Sequence, residues 1–146
     1  MRTLSQQVVV VTSASSGTGH ETAIQLGRCG AHVVLAARNE EARQNAVAEV
    51  EEAGGKARYV VTDVSDWKQV DRPAFQAVEH FSRMGTWINN AGISVYTDIS
   101  QSTPDEIKHV IGVNLVSEIL GTKAAFARMH GQGGEGLINS AQLRGI

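Results

Sequence analysis

Apolar residues cluster in five short runs along the chain, at residues 8–12, 32–37, 57–62, 86–90 and 137–141. The first run contains four consecutive valines, and the second reads HVVLAA. Runs of this length that do not alternate with polar residues are typical of strands buried on both faces of a parallel sheet. The pattern therefore predicts five β-strands.

Between these runs, apolar residues recur at helical spacing over residues 17–28, 40–53, 66–84 and 104–130. Thr103 and Pro104 give the last helix a hydroxyl cap and a first-turn proline. Pro73 lies inside the third helix and is expected to kink it or to start a new helical segment. Strands that alternate with helices form right-handed βαβ units. We therefore expect an α/β fold with a doubly wound parallel sheet.

Composition narrows the class of protein. The chain has 146 residues, a net charge of −2 and 42% hydrophobic residues, which is typical of a single folded domain over residues 1–146. The charge argues against nucleic acid or an anionic membrane surface as a partner, and no uninterrupted apolar run approaches the roughly 18 residues of a membrane span. A lone cysteine, Cys29, excludes an internal disulfide and fits the reducing cytoplasm. The histidines are scattered, so no metal site is expected.

A glycine-containing segment, TSASSGTG at residues 12–19, links the first strand to the first helix. A tight turn at a helix N-terminus presents backbone N–H groups and the positive end of the helix dipole to a phosphate group. The candidate phosphate-binding residues are Ser13, Ser15, Ser16, Gly17, Thr18 and Gly19. The spacing meets the GxGxxG fingerprint only in part, and the two glycines could instead mark a plain strand-to-helix turn.

Further small and polar residues follow later strands. Asp63-Val64 follows the third strand, NNAG at residues 89–92 ends the fourth, and Asn114 lies in the sequence VNL of the long helix. Because the carboxyl ends of parallel strands share one edge with the glycine segment, these residues are expected near one binding crevice.

In this order, TSASSGTG, DVSD, NNAG and VNL make the chain similar to the short-chain dehydrogenase/reductase family, over residues 8–145. The resemblance implies a Rossmann-like fold, a nicotinamide dinucleotide cofactor, and hydride transfer between that cofactor and a small carbonyl or alcohol. It implies that the glycine segment holds the pyrophosphate and that Asp63 and Val64 contact the adenine. It further implies that Asn90, Ala91 and Gly92 line the cofactor ribose, and that Asn114 organises a water relay in the active site.

The end of the second strand bears on the choice between NAD(H) and NADP(H). It reads Ala36-Ala37-Arg38-Asn39, with no acidic residue before Glu40. An acid at this place binds the ribose 2′-hydroxyl of NAD, whereas an arginine accommodates a 2′-phosphate. Arg38 therefore favours NADP(H), although an arginine here could also be an ordinary solvated residue at a strand end.

Two residues depart from the family pattern. Ser13 occupies the position of the family's first glycine. If the backbone of Ser13 is left-handed, the serine side chain there destabilises the fold by about 1 kcal/mol. Alternatively, its hydroxyl contacts the phosphate. Gln142 occupies the position of the family's catalytic serine, and it either donates a hydrogen bond in that role or is a polar residue at a strand end.

The family's Tyr-x-x-x-Lys pair, its general acid/base and the lysine that assists it, does not occur in these 146 residues. The resemblance thus implies a fold whose C-terminal part is missing, and an oxidoreductase that is inactive as the isolated chain. The alternative is a catalytically silent dinucleotide-binding or dimerising module. We expect a homo-oligomer through the helix at residues 104–130, as in the family, and through the open edge of the fifth strand.

Overall fold

A single parallel sheet forms the centre of the computed structural model, which describes residues 3–133 and 136–141. Its order is β3-β2-β1-β4-β5, so the chain crosses over after β3 and continues on the other side of β1. The strands are β1 (Val8–Thr12), β2 (His32–Ala37), β3 (Lys56–Val61), β4 (Thr86–Asn89) and β5 (Leu137–Ser140). This confirms the predicted Rossmann-like parallel sheet, with strand boundaries within one residue of those expected.

Helices cover both faces of the sheet. They are α1 (Gly17–Arg28), α2 (Arg43–Glu52), α3 (Asp71–Phe81), α4 (Pro104–Ile111) and α5 (Ser117–Gly131). Alternate residues of β1 face opposite sides: Val9 and Val11 pack in the core with α1 and α2, whereas Val8 and Val10 pack in the core with α3 and α5. Burial on both faces explains why its first four residues are all valines.

The third helix differs from its prediction. It begins at Asp71 and ends at Phe81, and residues 67–70 form turns. The Asp66 side chain stabilises these turns by accepting hydrogen bonds from the Lys68 backbone N–H at 2.9 Å and the Gln69 amide at 2.8 Å. Pro73 lies in the first turn of α3, where its missing N–H has no helical acceptor. Of the two outcomes expected at Pro73, a new helical segment is the one observed, and it begins two residues earlier, at Asp71.

The long C-terminal helix is interrupted by a wider turn. A capping box between Thr103 and Glu106 starts α4, and hydrogen bonds from the Thr103 backbone N–H and hydroxyl hold the pKa of Glu106 below its usual range. Between α4 and α5 the backbone forms a π-helical turn, Gly112–Val116. Such turns often lie at functional sites, and this one contains Asn114.

By length and composition alone, one helix in the described part of the chain, Pro104–Gly131, could cross a bilayer. Its most apolar 18-residue window has a mean hydropathy of 1.3, and 28% of that window is buried. Glu118 and Lys123 interrupt its apolar sequence, so the segment contains no uninterrupted apolar run of that length. Its inner side packs against β4 and α3. The expectation of no membrane partner stays a prediction.

Candidate functional site

A cavity of about 470 Å³ opens at the carboxyl end of the sheet, beside the ends of β1 and β4, the neighbouring strands between which the strand order reverses. This is the crossover point at which open α/β sheets bind ligands. Eight of the predicted cofactor-binding residues line it: Ser13, Ser15, Ser16, Arg38, Asp63, Val64, Ala91 and Gly92. Gly17 and Thr18 instead border a more open groove on the outer side of α1, and Gly19 and Asn90 lie beneath the cavity as packing residues.

The loop after β1 shapes the phosphate end of this cavity. Ser13 has a φ of 55°, in the left-handed region, and the next backbone N–H, of Ala14, donates to Ala36 O at 3.4 Å. Ser16 is the N-cap of α1 in an extended conformation, and within the described residues its side chain makes no capping hydrogen bond. The first-turn N–H groups of α1 therefore lack a side-chain cap, as an anion-binding helix N-terminus requires.

Replacing Ser13 by glycine is expected to raise the free energy of unfolding by about 1 kcal/mol, because glycine adopts a positive φ without steric cost. Chemical denaturation of the two proteins measures the difference. Ser82, at the end of α3, also has a positive φ, of 65°, so Ser82→Gly is a matched control expected to give a gain of similar size. An unchanged or lower stability of Ser13→Gly would show that the serine hydroxyl stabilises the loop by as much as the strain costs.

A single hydroxyl joins the ends of β1 and β4 below the cavity. Thr12 Oγ1 accepts hydrogen bonds from the backbone N–H groups of Asn90 at 2.9 Å and Ala91 at 3.1 Å, and donates to Ile88 O at 3.3 Å. The Asn90 side chain returns the contact by donating to Thr12 O at 3.0 Å. Thr12 is buried and was not among the predicted site residues. The feature of the sequence that could have identified it is a threonine directly after four consecutive valines.

The same asparagine, Asn90, lies directly against Gly19 in the first turn of α1. A Cβ atom added to Gly19 would lie 2.4 Å from Asn90 Nδ2 and 2.6 Å from Ser13 O. The second motif glycine is therefore required by space rather than by backbone conformation.

Two opposite charges face each other across the cavity. Arg38, directly after β2, is exposed, and within residues 3–133 and 136–141 no hydrogen-bond or ion-pair partner of its guanidinium is observed. The Ser65 hydroxyl donates to Asp63 Oδ1 at 2.7 Å. This bond, followed by the Ser65 backbone N–H and the charge of Arg38, lowers the pKa of Asp63 against the effect of burial. Asp63 is thus charged at neutral pH, and Arg38 is available to an anionic ligand.

Asn114 lines a smaller adjoining cavity of about 220 Å³, which shares Ala91, Gly92 and Ile93 with the first. Its side-chain amide donates to Ile93 O and accepts from the Ile93 backbone N–H, each at 2.8 Å. This pair ties the π-helical turn to the segment after β4. Ser140, at the end of β5, donates to Glu118 Oε1 at 2.6 Å beside the same cavity. Gln142 lies outside the described residues.

The described part of the chain contains no group of three or more His, Cys, Asp or Glu side chains placed to hold a metal ion. The 470 Å³ cavity is lined by hydroxyl and amide groups, one arginine and one aspartate, a set suited to a phosphorylated organic ligand.

Comparison with known proteins gives consistent matches. The sequence model of the short chain dehydrogenase family matches residues 7–141. An uncharacterized oxidoreductase of Bacillus subtilis, YxnA, is 39% identical over 99% of this chain and 41% of its own length. The Aspergillus oryzae short chain dehydrogenase/reductase astE is 35% identical over 92% of this chain and 52% of its own length.

Solved structures match in the same way. A short-chain dehydrogenase/reductase from Mycobacterium marinum superimposes with a TM-score of 0.90 at 29% identity, over 94% of this chain and 56% of that one. An NAD+-bound xylitol dehydrogenase gives a TM-score of 0.86 at 28% identity, over 94% and 53%. The chain thus spans about half the length of the relatives it matches.

Proposed function

The chain belongs to the short chain dehydrogenase family, and we propose that it supplies the dinucleotide-binding half of an NADP(H)-dependent oxidoreductase acting on a small carbonyl or alcohol. The observation that carries the proposal is Arg38, a guanidinium at the edge of the 470 Å³ cavity that makes no hydrogen bond or ion pair with the described residues. Its neighbour Ala37 is small and buried, so the position that would bear the acid of an NAD site has no carboxylate.

The residues present fit such a dinucleotide. The N-terminus of α1, with the hydroxyls of Ser15 and Ser16, suits the pyrophosphate. Arg38 suits a 2′-phosphate, which its two-pronged guanidinium can contact at two oxygens. We assign Asp63 and Val64 to the adenine end, and the segment Asn90, Ala91 and Gly92 to the ribose. When bound, the nicotinamide group supplies or accepts the hydride.

Asn114 is the residue of this chain that we assign to the catalytic centre. Its side chain accepts one hydrogen bond from Ile93 and donates one to it, which fixes the π-helical turn beside the smaller cavity and leaves its second amide N–H for a ligand or water. Because these 146 residues lack the Tyr-x-x-x-Lys pair, we expect them alone to bind the dinucleotide without turning over a carbonyl substrate. Gln142 in place of the family serine favours the second candidate function, a silent dinucleotide-binding module.

Calorimetric titration with 2′,5′-ADP and with 5′-AMP tests the cofactor proposal. The two ligands differ only by the 2′-phosphate, and we expect the first to bind at least about tenfold more tightly, the gain expected from a charge-assisted bidentate contact. Equal affinities would contradict the NADP(H) preference. NADPH oxidation in the presence of a panel of carbonyl compounds, compared with an Asn114→Ala control, separates the active from the silent candidate.

We further propose that the chain forms homo-oligomers through the long helix. Ile107, Ile111, Leu115 and Ile119 recur every four residues on its outer side and are 43%, 47%, 55% and 58% exposed. An apolar stripe of this kind is typical of an interface. The outer edge of β5, where Leu137 is 52% exposed, is a second candidate surface. Sedimentation velocity showing only monomer at micromolar concentration would contradict this proposal.

A further inference from the structure

Tyr59 lies on β3 and is buried, with 7% of its surface exposed. Its ring packs in the core between the sheet and the α1–α2 layer, together with Val33 and Leu35. A tyrosine that served only to fill this core would not need its hydroxyl, since phenylalanine has the same ring. The hydroxyl is therefore the atom to explain.

That hydroxyl is bonded to a turn that borders the cavity. It donates to Asn39 O at 2.5 Å. Asn39 belongs to the turn after β2 and lines the 470 Å³ cavity. Tyr59 is not among the residues that line this cavity, so its effect on the cavity passes through Asn39.

The contact with Asn39 bears directly on Arg38. The Asn39 carbonyl is fixed by Tyr59, and the Asn39 side chain accepts from the Glu41 backbone N–H at 3.0 Å, which closes the turn. Both constraints act on the residue that follows Arg38. They therefore fix the backbone from which the guanidinium extends towards the cavity.

We propose that Tyr59 is a positioning residue for recognition of a ribose 2′-phosphate: its hydroxyl holds the Asn39 carbonyl and so fixes the backbone of the turn from which the Arg38 guanidinium reaches the phosphate. This inference rests on the proposed function, since it concerns the specificity of that same site. It assigns a role in cofactor choice to a residue two strands away from the glycine segment and outside every motif.

The protonation of Tyr59 supports this role. Burial raises the pKa of its phenol, outweighing the hydrogen bond from Ser15 and the nearby charge of Arg43, which both act to lower it. The phenol thus keeps its proton at neutral pH. A carbonyl oxygen such as that of Asn39 can only accept, so the contact needs this proton.

The test is Tyr59→Phe, which keeps the ring and removes only the hydroxyl. We expect the affinity for 2′,5′-ADP to fall by about threefold to tenfold, the loss expected from one hydrogen bond, while that for 5′-AMP changes by less than about twofold. Tyr96→Phe is the matched control, because Tyr96 is 89% exposed in a loop and should leave both affinities unchanged. Retained 5′-AMP binding shows that the variant is folded.

Two results would overturn the inference. A parallel loss for both ligands would mean that the hydroxyl is merely structural, and an unchanged ratio of affinities would mean that it has no role in specificity. If the unmodified chain does not distinguish the two ligands, the proposed function fails first and the inference fails with it.

A measurement without substitution covers the case in which Tyr59→Phe does not fold. The chain has two tyrosines, so biosynthetic incorporation of 3-fluorotyrosine gives two ¹⁹F resonances. We expect the Tyr59 resonance to shift on addition of 2′,5′-ADP and much less with 5′-AMP, while the Tyr96 resonance stays in place. Equal shifts of the Tyr59 resonance with both ligands would contradict the proposal.

Discussion

Replacing Arg38 by alanine is expected to lower the affinity of the chain for 2′,5′-ADP by about tenfold to a hundredfold, with little change for 5′-AMP. The size follows from the hydrogen bonds to a charged group that are lost, roughly 1.5–3 kcal/mol. The selectivity follows from the place of Arg38, which borders the cavity and makes no hydrogen bond or ion pair with the described residues, so its removal breaks no contact and takes away only its charge near Asp63. Isothermal titration calorimetry with each ligand measures both affinities.

Arg38→Lys is the informative companion. Lysine keeps the charge but lacks the planar fork that contacts two phosphate oxygens, so an intermediate affinity for 2′,5′-ADP is expected. Arg43→Ala is a second control, because Arg43 is already paired with Glu40 at 2.8 Å on the surface. If Arg38→Ala and Arg43→Ala lower the affinity for 2′,5′-ADP equally, the effect is one of general surface charge and Arg38 does not select the cofactor.

The second large effect is expected from Gly19→Ala. A methyl group there meets Asn90 Nδ2 at 2.4 Å and the Ser13 carbonyl oxygen at 2.6 Å, so either the loop or the asparagine must move. Moving Asn90 also breaks its buried hydrogen bond to Thr12 O. Overpacking and a lost buried hydrogen bond together are expected to cost about 2–4 kcal/mol of unfolding free energy. Chemical denaturation of the variant measures this loss.

Gly131→Ala provides the matched control for that experiment. Gly131 ends α5, has no positive φ, and has no heavy atom within 4 Å of the place that an alanine Cβ would occupy. Alanine there should therefore leave stability unchanged or slightly higher. A loss at Gly19 no greater than that at Gly131 would show that α1 and the segment after β4 can separate without cost.

The strands were predictable because each carries its own signal. The valines of β1 indicate burial on both faces, and all five strands lie within one residue of the expected limits. Residues 67–70 were not predictable, because their apolar spacing continues into α3, while the Asp66 side chain stabilises turns by bonds that spacing does not reveal. The π-helical turn around Asn114 is tied to Ile93 by a tertiary contact, which the apolar spacing of the helix does not predict.

The candidate site divides in the same way. Ser13, Arg38 and Asp63 were identifiable because parallel strands bring their carboxyl ends to one edge, and the structure places all three around one cavity. The left-handed conformation considered for Ser13 is confirmed. Thr12 and Tyr59 were missed because each looks like an ordinary strand residue. What distinguishes them is a hydrogen bond to a residue distant in sequence, 78 positions away for Thr12 and Asn90 and 20 for Tyr59 and Asn39.

The Thr12 hydroxyl also affects the entropy of ligand binding. By accepting from two successive N–H groups beyond the end of β4, it orders Asn90 and Ala91 in the absence of any ligand. A dinucleotide that contacts this segment therefore loses little affinity to its immobilisation. The cost of ordering falls instead on the long side chain of Arg38, at about 0.5–1.5 kcal/mol for a flexible side chain. The floor of the site is thus preorganised, and the ordering cost of the proposed 2′-phosphate contact lies in the Arg38 side chain.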